Sequence, residues 1–155
     1  MTPLQPLVAL LAQTERQRDL ALADQIKMQG AHAAAQSQAD QLVAYRRDYE
    51  QRWSTQFCRE GRIELVRCYQ GFIERLTQAV EQQARSAEAL GVQLEQASAT
   101  VRERELQVAA VRKLIERRLA EDRAAGSRLE QKQTDELAAR IAWAGRSLAD
   151  RPNPA

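Results

Sequence analysis

Histidine and cysteine, the side chains most often used as general bases, metal ligands and thiol nucleophiles, are few in this sequence, and those few do not converge. His32 is the single histidine, set in an Ala- and Gln-rich stretch. A general base or metal ligand needs partners at helical or loop spacing. None stands near it, so His32 reads as a solvated or seam-edge residue. Cys58 and Cys68 match no metal-ligand or redox spacing and read as free thiols. No Gly-rich phosphate loop, nucleophile elbow or paired metal motif occurs. The expected protein is no enzyme and holds no cofactor or metal.

Two other groups of residues suit binding. The first is Tyr45-Arg46-Arg47-Asp48-Tyr49 followed by Trp53. Bases interleaved with aromatics could contact nucleic acid, but Asp48, Glu50 and Glu60 dilute the charge. A helical reading makes Tyr45 and Tyr49 seam residues that meet Tyr69, Phe72 and Leu76 across a chain reversal. Two helices cannot cover so many large rings, so some aromatic surface stays open to a protein partner. The second group is Leu129-Glu130-Gln131-Lys132 with Asp135-Glu136-Leu137, a polar run whose i,i+4 pairs fit a solvated helix face.

The rest of the chain must position these groups, and its composition says how. In 155 residues, 23 Lys+Arg face 21 Asp+Glu, aromatics are 5% and hydrophobic residues 44%. The small charge excess disfavours a nucleic-acid binder, and the apolar content disfavours disorder. Ala, Gln, Glu, Arg and Leu dominate while β-branched residues are scarce, which favours long helices. The apolar-leaning start, residues 4–12, is about half of the ~18 residues a membrane span needs. It lacks a basic leader, and Glu15 and Asp19 follow it. The expected chain is soluble and cytoplasmic, with no direct membrane insertion.

Proline occurs only at Pro3, Pro6, Pro152 and Pro154. A proline-free run of roughly 145 residues exceeds any ordinary helix and indicates a coiled coil. Apolar spacing lapses once, around residues 57–62, where Gly61 can close a helix. Beyond it a heptad is plain. Val66, Ile73, Val80, Ala87, Leu94, Val101, Val108 and Ile115 alternate with Tyr69, Leu76, Gln83, Leu90, Ala97, Arg104 and Val111. The next positions are Arg118 and Asp122, so the seam decays near residue 118. In the first helix Leu7, Leu10, Ala21, Met28, Ala31, Ala35, Leu42, Tyr45 and Tyr49 fall near one stripe, with small residues between Gly30 and Ala39.

The expected fold is all-α: two long helices in an antiparallel coiled-coil hairpin, the second overhanging the first. Residues 1–155 form a single domain, with helices over about 4–56 and 63–148, a turn over 57–62 and a disordered tail over 149–155. A reversal near Gly61 sets residue i opposite roughly residue 120 minus i, so Leu4 faces about residue 116. The second seam fades just where its partner runs out. The overhang would be ~30 residues or ~45 Å long. It still carries Leu137, Ile141, Ala144 and Leu148 at helical spacing, a stripe with nothing inside a monomer to cover it. Residues 101–132 hold nine basic and six acidic side chains, a net of +3; residues 63–100 hold three and five, a net of −2.

Three motifs resemble the flagellar FliJ family: Leu42-x-x-Tyr45-x-x-x-Tyr49, Tyr69-Gln70-x-Phe72-Ile73-x-x-Leu76 and Leu129-x-Gln131-Lys132-x-x-Asp135-Glu136. Their order and spacing, over most of the chain, carry the likeness. The resemblance implies a non-enzymatic stalk of the flagellar type III export apparatus, similar to the central stalk of rotary ATPases. It implies three partners: the hexameric flagellar export ATPase, entered by the end bearing the termini; the cytosolic domain of the export gate; and export chaperones. It implies a cytoplasmic protein, peripherally associated with the inner membrane at the flagellar basal body, that serves flagellum assembly, motility and chemotaxis. The gate-binding residues it implies are Gln38, Leu42, Tyr45, Tyr49, Phe72, Leu76 and Ala79. The ATPase-binding residues it implies are Gln131, Lys132, Asp135 and Glu136. Two alternatives stay open from the residues: the equivalent stalk of a virulence type III secretion system, and a generic coiled-coil scaffold or homodimer.

Overall fold

The computed structural model describes residues 4–60, 62–150 and 152, with the side chains of 57–60 outside the description. Two helices account for almost all of it: α1 (Gln5–Glu60) and α2 (Ile63–Ala149). They pack against each other as the hairpin the heptads require. Gly61, where the reversal was expected, lies outside the described residues, as do Arg151 and residues 153–155 of the expected tail.

Local chemistry explains the ends. Pro6 sits in the first turn of α1, where its missing N–H costs nothing. The Val8 N–H donates to the Leu4 carbonyl at 3.0 Å, so the first turn closes on Leu4. The Val66 N–H donates to the Arg62 carbonyl at 3.2 Å, and Glu64 sits in the first turn of α2. Arg146 lies in the last turn of α2, so both charges complement the helix dipole. The Asp150 N–H still reaches the Arg146 carbonyl at 3.2 Å.

The helices form two compact units: Thr14–Gln107, and Met1–Gln13 with Val108–Ala155. Within Thr14–Gln107 the pairing is antiparallel. Gln25 Nε2 donates to Ser98 Oγ at 3.0 Å, Gln83 Nε2 to Gln38 Oε1 at 3.1 Å and Arg104 Nη1 to Gln17 Oε1 at 3.2 Å. The last two pairs set residue i opposite about residue 121 minus i. Ala35, Ala39, Ala87 and Ala97 are buried beside Leu76, Val80 and Val101. Small residues thin the seam in its middle, and polar pairs fill the layers between.

Every heptad position of α2 from Val66 to Val111 is buried or half-buried. The α1 stripe differs from expectation at two places. Leu10 and Tyr45 are 42% and 51% exposed. The covered positions are instead Leu11 and Arg46, each one residue on. They belong to an unbroken alternation of three and four residues: Leu7, Leu11, Thr14, Arg18, Ala21, Gln25, Met28, His32, Ala35, Ala39, Leu42, Arg46, Tyr49, Trp53. Polar residues at several of these positions hide the pattern from a search for apolar spacing.

In the other unit, half-buried Leu4, Leu7 and Leu11 accompany Val108, which is 2% exposed, and buried Val111. Ile115 and Arg118 are half-buried, and every described residue from 119 to 150 is exposed. The seam ends at the residue where the heptad turned polar, and α2 continues unpaired.

Candidate functional sites on the paired helices and the overhang

The heptad phase organises the first candidate site. In the α1 seam, Ala39 and Arg46 follow their predecessors by four residues; in α2, Ile73 and Val80 do the same. The residues just before them are Gln38, Tyr45, Phe72 and Ala79. In an antiparallel pair these positions border the same edge of the seam. Leu42, Tyr49 and Leu76 fill the companion positions beneath. The seven residues therefore share one strip of the Thr14–Gln107 unit. Gln38, Tyr45 and Ala79 are exposed, Leu42, Tyr49 and Phe72 are half-buried, and Leu76 is buried at 8%. Leu76 supports the strip from below rather than lending it surface.

Rings knit its far part together. The Tyr49 ring centroid lies 4.4 Å from Phe72, 5.9 Å from Tyr69, 5.7 Å from Trp53 and 6.3 Å from Tyr45. Trp53 and Tyr69 are 5.6 Å apart. These separations are those of attractive aromatic pairs. Burial pushes the Tyr69 hydroxyl above its ordinary pKa, with smaller contributions from the Glu50 carboxylate and Tyr49. Beside the rings, Gln38, Gln41, Leu42, Tyr45 and Gln83 line an open cleft of about 440 Å³. Trp53, which follows the Tyr45–Tyr49 group in the sequence, was not among the gate-binding residues that the family resemblance implies, although it stands four residues after Tyr49 and so on the same helical face.

The second candidate site is on the overhang. Gln131, Lys132, Asp135 and Glu136 are all exposed. With Arg128 and Ala139 they line another shallow cleft of about 440 Å³. At 100° per residue this face points roughly away from the Leu137, Ile141, Ala144 and Leu148 stripe. Among the described residues, Lys132, Asp135 and Glu136 form no ion pair with the chain itself. Leu137, Ile141 and Leu148 are exposed, and Trp143 is 74% exposed. Nothing in this unit covers them.

The residues expected to be chemically inert sit as follows. His32 is half-buried in the seam, and a Cβ on Gly91 would meet its Nε2 at 3.2 Å. Cys68 is an exposed free thiol; the Cys58 side chain lies outside the description. Among the described residues no group of His, Cys, Asp and Glu could hold a metal ion, and no helix is long and apolar enough to cross a membrane.

Fold and surfaces define a class: a two-helix hairpin whose longer helix presents an unpaired end. The family model described as the flagellar FliJ protein matches residues 1–147, and the chain belongs to that family. Membership makes it a component of the flagellar protein export apparatus. No curated protein and no solved structure matches it significantly.

Proposed function

We propose that this chain is the coiled-coil stalk of the flagellar export apparatus, bridging the export ATPase and the export gate. Its single domain would present two contact surfaces. The overhang, through Gln131, Lys132, Asp135 and Glu136, enters the hexameric export ATPase. The strip of Gln38, Leu42, Tyr45, Tyr49, Phe72 and Ala79, backed by Leu76, binds the cytosolic domain of the export gate. The protein also assists delivery of chaperone-bound substrates for flagellum assembly. It works in the cytoplasm, peripherally associated with the inner membrane at the basal body, with no cofactor, nucleic acid or membrane insertion of its own.

The observation that supports this reading most is the exposure of the whole of α2 from residue 119 to 149. A free helix about 10–12 Å across fits a narrow opening in an oligomer. Its apolar stripe and its polar face lie on opposite sides, so a partner that surrounds it satisfies both. The flagellar family match favours the flagellar apparatus over the virulence one.

Pulldown with the cognate export ATPase tests the overhang. The full chain is expected to retain the ATPase and to change its hydrolysis rate. A chain truncated after residue 125 is expected to lose both effects while still binding the gate domain. Equal ATPase binding by the two chains would refute the proposed role of the overhang.

A further inference from the structure

Resting on the gate-binding reading above, the geometry points to Trp53 and Tyr69 as positioning residues that fix the Tyr49 ring for the export gate. Neither belongs to the seven residues of the strip, and neither borders the edge that carries Gln38, Tyr45, Phe72 and Ala79. Both occupy seam positions: Trp53 follows Tyr49 by four residues in α1, and Tyr69 is a companion position of α2.

Their contacts say what they do there. Trp53 lies 5.7 Å from Tyr49 and 5.6 Å from Tyr69, and Tyr69 lies 5.9 Å from Tyr49. The three rings form a closed triangle. The Phe72 ring lies 4.4 Å from Tyr49, and the Tyr45 ring lies 6.3 Å from Tyr49. Among the described rings of the cluster, Tyr49 is thus the one ring of the strip that lies against Tyr45, Trp53, Tyr69 and Phe72 alike. A half-buried tyrosine held by neighbouring rings keeps a single orientation, and preorganised aromatic residues bind with less loss of freedom on association. Tyr69 and Tyr49 stack at 16°, whereas Trp53 tilts 52° to Tyr49. One neighbour sets the plane of the Tyr49 ring and the other blocks its swing.

A positioning role differs from two simpler ones. If Trp53 only supported the helix pair, its loss would lower stability and leave gate affinity intact wherever the protein is folded. If Trp53 touched the gate itself, its loss would weaken binding whether or not Tyr49 is present. Acting through Tyr49, it should matter only while Tyr49 is there.

The experiment is a double-mutant cycle on the full chain, read by titration with the cognate gate domain at a temperature where every variant is helical by circular dichroism. Trp53→Leu and Tyr69→Leu are each expected to weaken binding by about tenfold, and Trp53→Phe to restore most of the loss. Tyr49→Ala is expected to weaken binding at least as much. Adding Trp53→Leu to Tyr49→Ala is expected to change affinity less than twofold. Binding to the export ATPase should be unchanged throughout. An unaltered affinity for Trp53→Leu, or an equal loss in both backgrounds, overturns the inference. Tyr45→Ala and Tyr49→Ala serve as the control on the reading beneath it. If both retain full affinity, the strip itself is wrong and the inference falls with it; if they lose affinity while Trp53→Leu does not, only the inference falls.

Discussion

Residues 66–111 and 119–149 of α2 are parts of one continuous helix, yet they keep their apolar residues under opposite conditions. In the first stretch every heptad position is withdrawn from solvent, down to Val108 at 2% exposure. In the second every residue is exposed, including Leu137, Ile141, Trp143 and Leu148. The first stripe is satisfied within the chain, and its residues are there for stability. The second does nothing for the folded monomer. Its length, four apolar positions over twelve residues, is well short of the three or four heptads a self-sufficient coiled coil needs. That makes a recipient surface on another protein a better complement than a second copy of the same helix.

A charge placed in each stripe gives the largest expected difference. Val101 is buried at 6%, so Val101→Asp sets an unpaired carboxylate in the seam and should cost about 4 kcal/mol or more. Ile141 is 65% exposed, so Ile141→Asp should leave the unfolding free energy from urea titration within about 0.5 kcal/mol of the parent. Unfolding followed at 222 nm measures both. A large loss for Ile141→Asp would mean that the overhang stripe is already covered in solution, as in a dimer, and the contrast would collapse. Sedimentation of the same samples would then show the second copy.

How much of this could be read from residues alone follows from the same contrast. The α2 seam was legible because its core positions are mostly Val, Leu, Ile and Ala, and polar Arg104 and Gln83 interrupt it only singly. Its end was legible because Arg118 and Asp122 replace apolar residues in phase. The α1 seam was only partly legible. Thr14, Arg18, Gln25, His32 and Arg46 occupy core positions, so apolar Leu10 and Tyr45 drew the stripe one residue aside. One of those polar residues has its partner across the seam: Gln25 Nε2 donates to Ser98 Oγ. The error hid a useful fact. Once Arg46 rather than Tyr45 is the core residue, Tyr45 moves to the edge, where it aligns with Gln38 and with Phe72 and Ala79 of the other helix. Leu76 was readable as a core residue from its heptad position. Trp53 was readable as a neighbour of Tyr49, but its closeness to Tyr69 depends on the register of the pair, which local spacing does not contain.

Glycines sharpen the comparison at the scale of about 1 kcal/mol. An alanine at Gly126, on the overhang, meets nothing within 4 Å. Gly126→Ala should therefore gain up to about 1 kcal/mol of local helix stability, seen as slower amide exchange around residue 126. Gly91, in the paired stretch, faces His32 Nε2 at 3.2 Å from an added Cβ. There the propensity gain is offset by crowding, and Gly91→Ala should change stability by less than about 0.5 kcal/mol. In a His32→Ala background the clearance is no longer needed, and the same substitution should recover most of the ~1 kcal/mol. Equal gains at Gly91 and Gly126 in the parent chain would show that the imidazole moves aside freely.

The smallest expected effect is alkaline and belongs only to the paired stretch. Tyr69 is raised above its ordinary pKa, first by burial, then by the Glu50 carboxylate and by Tyr49. The folded protein therefore favours the neutral phenol. The stability this brings is fully present below the unfolded value of about 10 and is lost as pH rises through the higher folded value. Urea midpoints should accordingly be flat up to about pH 9 and fall above pH 10. Tyr69→Phe should shallow that fall, because one phenol that resists ionisation is gone. Glu50→Gln should shallow it less, since the carboxylate is the second cause and burial the first. Helicity of the overhang, which contains no tyrosine, should not follow this titration. Should Tyr69→Phe leave the alkaline limb as steep as before, the ring cluster would not be shielding that hydroxyl, and the paired and unpaired parts of α2 would differ in their apolar contacts alone.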